Sequence, residues 1–209
     1  GWSVGESRFD WPTMVAAKSK ELARLEGIYR RLLKESGVTA IDGRGALLDA
    51  NSVAIGEERY SADTILIATG GWPFMPELPG IELAITSNEA FDLPRLPGRI
   101  VIVGGGYIAC EFAGIFNGFG VETVQLYRSD MILRGFDMDI REICCDEMRK
   151  SGIDVRLNVN AVKLEKNADG IALTTTQGDV LEADQVLFAT GRVPSTAAIG
   201  LNEAGVERN

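Results

Sequence analysis

Histidine is absent from this 209-residue chain, and with it the commonest general base and zinc ligand. Cysteine is scarce. Cys110, Cys144 and Cys145 have neither a metal-ligand spacing nor a C-x-x-C arrangement, and an odd number makes a poor disulfide framework. They read as small buried apolar residues. No apolar run approaches the roughly 20 residues of a membrane helix, and no signal-peptide pattern opens the chain, which points to a cytoplasmic protein away from any membrane. Positive charge is also short. With 21 basic against 30 acidic residues the net charge is −9 and the isoelectric point near 4.7, which argues against nucleic acid as a partner, since phosphate contacts need a basic face. No metal ligand and no catalytic residue can be assigned on these terms. What remains is a globular composition, 45% hydrophobic and 24% charged, with 24 glycines and a length that suits one or two domains.

The glycines are most informative within residues 99–134. Arg99-Ile100-Val101-Ile102-Val103 is a β-branched apolar run of the kind found in a strand buried on both sheet faces. Gly104-Gly105-Gly106-Tyr107-Ile108-Ala109 follows at once, a G-x-G-x-x-A phrase placed between strand and helix as a dinucleotide-binding turn requires. Gly104 permits the tight turn, Gly106 lets the backbone approach a pyrophosphate, and Ala109 keeps helix and strand close. The helix amino terminus, at Tyr107 and Ile108, offers free N–H groups and a positive dipole end to the phosphates. The helix is expected to run to about Gly118, with Gly120 in the turn before a second strand over 121–127.

The end of that second strand is where an NAD-binding fold places Asp or Glu for the ribose 2′-hydroxyl. Here the chain has Arg128, and Arg134 follows six residues on. Two guanidinium groups closing on a 2′-phosphate, at roughly 1.5 to 3 kcal/mol per charge-assisted hydrogen bond, would together favour NADP(H) over NAD(H) by about a hundredfold or more. The alternative is that both arginines are solvated and Asp130 serves the ribose. The strand-end position favours the phosphate.

The chain opens with Gly1 rather than Met, on a loop with Trp2 and Phe9 available as anchors. From Pro12 a long helix is expected, with Val15, Lys18, Leu22, Leu25, Tyr29 and Leu32 along one stripe and Gly37 as its stop. Short strands punctuated by Gly43, Gly45 and Gly56 then read as an antiparallel meander. Residues 72–97, rich in proline and glycine, read as a connection between domains. After the dinucleotide motif comes a helix capped by Asp137, with Ile140, Ile143, Cys144 and Met148 on one face and Gly152 as its stop. A strand over 153–157 and a second meander, turning at Asn167-Ala168-Asp169-Gly170, complete the run.

Two phrases match across the chain. Ser61-Ala62-Asp63-Thr64-Ile65-Leu66-Ile67-Ala68-Thr69-Gly70 is echoed by Glu182-Ala183-Asp184-Gln185-Val186-Leu187-Phe188-Ala189-Thr190-Gly191, each following a hairpin-rich segment and each ending in Ala-Thr-Gly before a proline. Each copy is expected to be a strand. The repeat implies an α/β protein with two dinucleotide-binding domains of one design, the second inserted in the first. The first copy has no glycine fingerprint upstream, so the sequence is expected to be an excerpt that begins partway through a larger protein.

The segments GWSVGESRFDW, ARLEGIYRRLL, TILIATGGWP, VIVGGGYIACEFAGIFNGFG and ATGRVPST resemble the flavin-dependent disulfide reductases, specifically the bacterial glutathione reductases. The resemblance spans essentially the whole chain. It implies a Rossmann-like NADP-binding domain over 71–193, with a parallel sheet and a β-meander. This is inserted in an incomplete FAD-binding domain formed by 1–70 and the return segment 194–209. It makes Tyr107 the aromatic lid of the nicotinamide pocket, sets Glu111 near the nicotinamide and Gly191 at the cofactor's edge, and matches Arg128 and Arg134 to the pair that holds the 2′-phosphate. Gly45, Thr69 and Gly70 match backbone positions along FAD, and Tyr29 a tyrosine of the glutathione cleft. From the helix stripe alone, Tyr29 reads as core.

The family's C-x-x-x-x-C redox pair, its catalytic histidine and its first phosphate-binding glycine turn are all absent from this sequence. The resemblance therefore implies an NADPH- and FAD-dependent glutathione-disulfide reductase, a homodimer when complete, of which this chain carries the NADPH-binding part and would be inactive alone. A binding module without turnover is the alternative. So is a relative acting on trypanothione, mycothiol disulfide, mercuric ion or dihydrolipoamide, the last disfavoured by the arginine pair.

Overall fold

The computed structural model describes residues 1, 3, 5–6 and 8–207, and Trp2, one of the two expected anchors, lies outside them. The elements are α1 (Trp11–Glu35), β1 (Gly45–Asp49), β2 (Ser52–Ile55), β3 (Glu58–Ser61), β4 (Gly71–Pro73), a 3-10 turn (Ile81–Leu83) and α2 (Ser87–Ala90). They continue with β5 (Arg99–Val103), α3 (Tyr107–Gly118), β6 (Glu122–Tyr127), α4 (Met138–Lys150), β7 (Asp154–Leu157), β8 (Ala161–Asn167), β9 (Gly170–Thr175), β10 (Val180–Ala183), β11 (Gln185–Phe188) and β12 (Arg192–Pro194). The chain divides into two compact units, one of Gly1–Ala16 with Pro73–Arg192, the other of Ala17–Trp72 with Val193–Asn209.

The larger unit is built on a parallel sheet in the order β11-β5-β6-β7. Parallel strands need covering on both faces, and β5 meets that need with residues that alternate between two apolar layers. Ile100 and Ile102, with Leu187 of β11, face Ala109, Phe112, Ala113 and Phe116 of α3 and Cys145 and Met148 of α4. Val101 and Val103, with Val186 and Phe188, face Ala161, Leu164, Ile171, Leu173 and Ala183 of the β8-β9-β10 meander. The spacing 109, 112, 113, 116 puts four apolar residues on one stripe of α3, which is why that helix lies along the sheet. The first sixteen residues belong to this unit rather than with residues 17–70. Trp11 is buried, its indole Nε1 donates to Leu93 O at 2.8 Å, and Phe9 stacks on Phe119 with ring centroids 4.5 Å apart.

Two expectations are corrected in this unit. Residues 72–97 are no bare connection. They carry the 3-10 turn and α2, the latter opened by a capping box in which Thr86 Oγ1 accepts from Asn88 N and Glu89 Oε2 accepts from Thr86 N. Ile85 also extends the sheet by a parallel bridge to Leu187. On α4, capped as expected by Asp137, the buried stripe is Cys145 and Met148 with Cys144 beside it, while Ile140 and Ile143 stand 55% and 61% exposed. Arg141, one helical turn before Cys145, takes the inward position because its guanidinium has backbone carbonyls to bind there.

The smaller unit holds the antiparallel order β1-β2-β3, with Leu47 donating its N–H to Ile199 O at 2.8 Å and packing on Ile199 and Leu201. Of the two repeated phrases only the second is a strand. β11 pairs with β5, whereas residues 64–70 form no strand and Leu66 is 87% exposed, since no described strand lies alongside to complete a ladder. The stripe of α1 is also open. Trp11 is the one buried residue on the helix, and Leu22, Tyr29 and Leu32 are exposed, which corrects the core reading of Tyr29. No described helix is long and apolar enough to cross a membrane.

Asp184, between β10 and β11, ties the meander to the sheet. Its Oδ2 accepts from the N–H groups of Gly98 and Arg99 at 2.8 and 2.9 Å, and the Arg99 guanidinium reaches Oδ1 at 3.3 Å. Burial pushes its pKa up, but the hydrogen bonds from Arg99 and Gly98 outweigh burial and hold the carboxyl below the ordinary value of 3.8. A lowered folded pKa contributes stability above the unfolded pKa and loses it as pH falls through the folded one. Asp184→Asn is expected to cost about 1 kcal/mol or less at neutral pH, the carboxyl being over a third exposed, and urea titrations should show that gap narrowing as pH falls from the unfolded pKa through the lowered folded one.

Candidate functional site

The carboxyl ends of β5, β6 and β11 open into one cavity of about 740 Å³. β5 is where the sheet order turns, with β6 on one side and β11 on the other, and ligands of parallel α/β sheets bind outside the strand ends at such a point. The wall brings together Gly104, Gly106, Tyr107, Ile108, Arg128, Arg134 and Gly191, seven of the residues singled out from the sequence.

Each glycine of the turn has a distinct steric reason. Gly104 has φ +146, and a Cβ there would lie 2.3 Å from Ala189 O and 3.3 Å from the Ala109 methyl, so strand end, neighbouring strand and helix meet with no room for a side chain. Gly105 has Tyr127 against it, the aromatic ring lying within 2.4 Å of where a Cβ would be. Gly106 is the opposite case. A Cβ there would meet nothing within 4 Å, so its missing side chain leaves space on the cavity side of the backbone. It is also the N-cap of α3 with no side-chain cap, so the first-turn N–H groups, which lack intrahelical acceptors, face the cavity end of the helix.

The cavity wall carries Arg128, Arg134 and Arg192 against a single acidic residue, Glu77. Arg134 sits on a loop with no ladder of its own, held by Leu133 N donating to Gly105 O at 2.6 Å and Asn158 N donating to Ser129 O at 3.0 Å. Ala109 is fully buried behind the turn, and Glu111 is exposed on α3 without lining the cavity. Tyr29, Gly45, Thr69 and Gly70 lie in the other unit and line neither this cavity nor the smaller one beside β1. Gly45 opens β1, Tyr29 is 65% exposed, Thr69 is exposed, and Gly70 O accepts from Ser195 N at 2.9 Å.

Two residues outside the sequence reading shape the site. Gln125 is fully buried on β6, and its Nε2 donates to Gly104 O at 2.9 Å, fixing the carbonyl at the start of the turn. Arg141 of α4 donates from Nε to Ile132 O and from Nη2 to Met131 O, bracing the loop before Arg134. Cys110 lies 3.6 Å from Gln125 Nε2, and burial pushes its thiol up to about 11.

The pyridine nucleotide-disulphide oxidoreductase family matches residues 4–209. The chain belongs to that family. Relatives include a glutathione reductase of Burkholderia cepacia, 47% identical over all of this chain and 47% of its own length, and a trypanothione reductase of Trypanosoma congolense, 39% identical over 99% of this chain and 45% of its own. Among solved structures, the HOCl-induced flavoprotein disulfide reductase of Escherichia coli superposes with a TM-score of 0.89 at 27% identity, covering 96% of this chain and 47% of that one. The chain thus spans about half the length of the oxidoreductases it matches.

The two outer glycines of the turn should separate in the laboratory. Gly104→Ala is expected to lower stability by about 3 kcal/mol or more, since both its backbone angle and Ala189 O oppose a methyl group. Gly106→Ala should change stability by less than about 1 kcal/mol while weakening dinucleotide binding about tenfold, because its methyl would occupy the approach to the pyrophosphate. Thermal melts beside nucleotide titrations measure both.

Proposed function

We propose that this chain is the NADP(H)-binding part of an NADPH- and FAD-dependent glutathione-disulfide reductase. The observation that carries the reading is the cavity wall. A glycine turn and an uncapped helix start lie beside Arg128 and Arg134, with arginine in place of the carboxylate that a ribose 2′-hydroxyl would require. Guanidinium groups suit this task because a planar fork of donors matches phosphate oxygens.

In this reading the backbone at Gly106 and the start of α3 hold the pyrophosphate, Arg128 and Arg134 the 2′-phosphate, and Tyr107, 56% exposed at the cavity, covers the nicotinamide end with Gly191 at its edge. Glu111, one turn along α3, stands near that end. Bound NADPH supplies a hydride, which the complete enzyme would pass by way of FAD and a redox-active disulfide to glutathione disulfide. Gly45, Thr69 and Gly70 would lie along FAD, and Tyr29, exposed on α1, would be available to the disulfide substrate. Identity of 47% to a glutathione reductase against 39% to a trypanothione reductase favours glutathione as the thiol.

Titration of the purified chain with NADPH and NADH, followed by intrinsic fluorescence, tests the cofactor assignment. NADPH is expected to bind about a hundredfold more tightly than NADH, and the double variant Arg128→Ala, Arg134→Ala to close that gap. A folded chain, shown by circular dichroism, that binds neither nucleotide would sink the assignment.

A further inference from the structure

We propose that Arg141 is a positioning residue that sets the preference for a 2′-phosphorylated dinucleotide by holding the loop that presents Arg134. The inference rests on the reading of Arg128 and Arg134 as the phosphate clamp. Arg141 lies on α4, outside the cavity wall, so it acts through the loop rather than by touching the nucleotide.

The loop between β6 and α4 has no strand pairing to fix it. Its order comes from a few contacts, and the peptide between Ile132 and Leu133 is held at both ends. On one side Leu133 N donates to Gly105 O at 2.6 Å, and on the other Ile132 O accepts from Arg141 Nε at 2.7 Å. The next carbonyl back, Met131 O, accepts from Arg141 Nη2 at 2.8 Å. One guanidinium therefore fixes two consecutive carbonyls, and one peptide links the dinucleotide turn to α4.

That hold has something to oppose. Leu133 has φ +55, a left-handed conformation that a leucine adopts only when its surroundings impose it. The buried side chains of Ile132 and Leu133 anchor the loop from below, and Arg141 closes it from the α4 side. The residue after Leu133 is Arg134, so the plane of the held peptide sets the direction in which the Arg134 side chain leaves the backbone. Releasing the two carbonyls lets Leu133 relax toward an ordinary conformation and swings Arg134 away from a phosphate placed by Arg128 and the glycine turn.

Arginine suits this brace and lysine does not. The guanidinium presents Nε and Nη2 in a fixed plane that spans adjacent carbonyls, whereas an ammonium is a point charge on a flexible stem. This separates a geometric role from a merely electrostatic one, since lysine keeps the charge and loses the fork. It also predicts selectivity rather than affinity in general. NADH, which has no 2′-phosphate, makes no demand on Arg134.

The test is a set of titrations of wild-type chain, Arg141→Lys and Arg141→Met with NADPH and NADH, and with adenosine 2′,5′-bisphosphate and AMP, alongside circular dichroism melts. Both variants are expected to lose about tenfold of the NADPH-over-NADH ratio through weaker NADPH binding alone, with the same loss between the two fragments and unchanged NADH affinity. Full preference retained by Arg141→Lys would show that charge suffices and overturns the brace, as does an equal loss of NADPH and NADH binding. Should Arg141→Met fail to fold, Arg141→Lys decides alone. A wild-type chain that binds NADPH and NADH equally overturns the clamp reading and this one together, whereas a wild-type preference that both variants keep overturns this one only.

Discussion

At Gly104 the ends of two parallel strands and the start of a helix converge to within the space of one methyl group, and the candidate site is arranged around that convergence. A Cβ would press on Ala189 O at the end of β11 and on Ala109 in the first turn of α3. The Gly104 N–H donates to Leu126 O of β6, and its carbonyl accepts from the buried Gln125 amide. Three strands and a helix are thus tied to one residue. Because the sheet is packed on both faces, by helices through Ile100 and Ile102 and by the meander through Val101 and Val103, the strand ends have little freedom to part. The cavity is what remains above this tie, and its shape follows from the closeness below it.

The electrostatics are local and run against the whole. A chain of net charge −9 repels a polyanion at long range, yet the cavity wall carries three arginines and one glutamate. Beyond a Debye length of about 8 Å at physiological salt, surface charges are largely screened, so the groups lining the cavity decide what binds there. The alternative in which Asp130 serves a ribose is weakened by its place outside the cavity wall, where Arg128 and Arg134 both lie.

What the sequence made legible follows from how local each signal is. The strand, glycine turn and helix over 99–118, the Asp137 cap and the hairpin at 167–170 depend on neighbours a few residues apart, and they stand in the structure as read. Where partners are distant the reading failed. Ile65 and Val186 sit in nearly the same phrase, but only Val186 has β5 beside it, so only one copy is a strand. Ile140 and Ile143 looked like the inner face of α4 by apolarity, while Arg141 takes that face because carbonyls from another loop await it. Thr86-Ser87-Asn88-Glu89 is a capping box in plain view, obscured by the prolines around it. The arginines and glycines of the cavity were readable because the motif carries its own mechanism; their supports, Gln125 and Arg141, were not, since a side chain's bond to a backbone carbonyl of a separate segment leaves no periodic trace.

Cys110 and Cys145 are packed into the apolar layer between helices and sheet. Cys110 is the nearest of them to the glycine turn, through its contact with Gln125, and so the one a redox role would first invoke. Burial pushes its pKa up to about 11, which favours the thiol over the thiolate that thiol–disulfide exchange requires. Cys145 is fully covered by the helix and sheet layer, and burial raises its pKa too. These sulfurs are positioned as volume, filling the interface of α3 and α4 with the sheet, and their packing supports the same strand ends that the nucleotide would rest upon. The thiols of this unit therefore serve packing, below strand ends that open into an arginine-lined cavity.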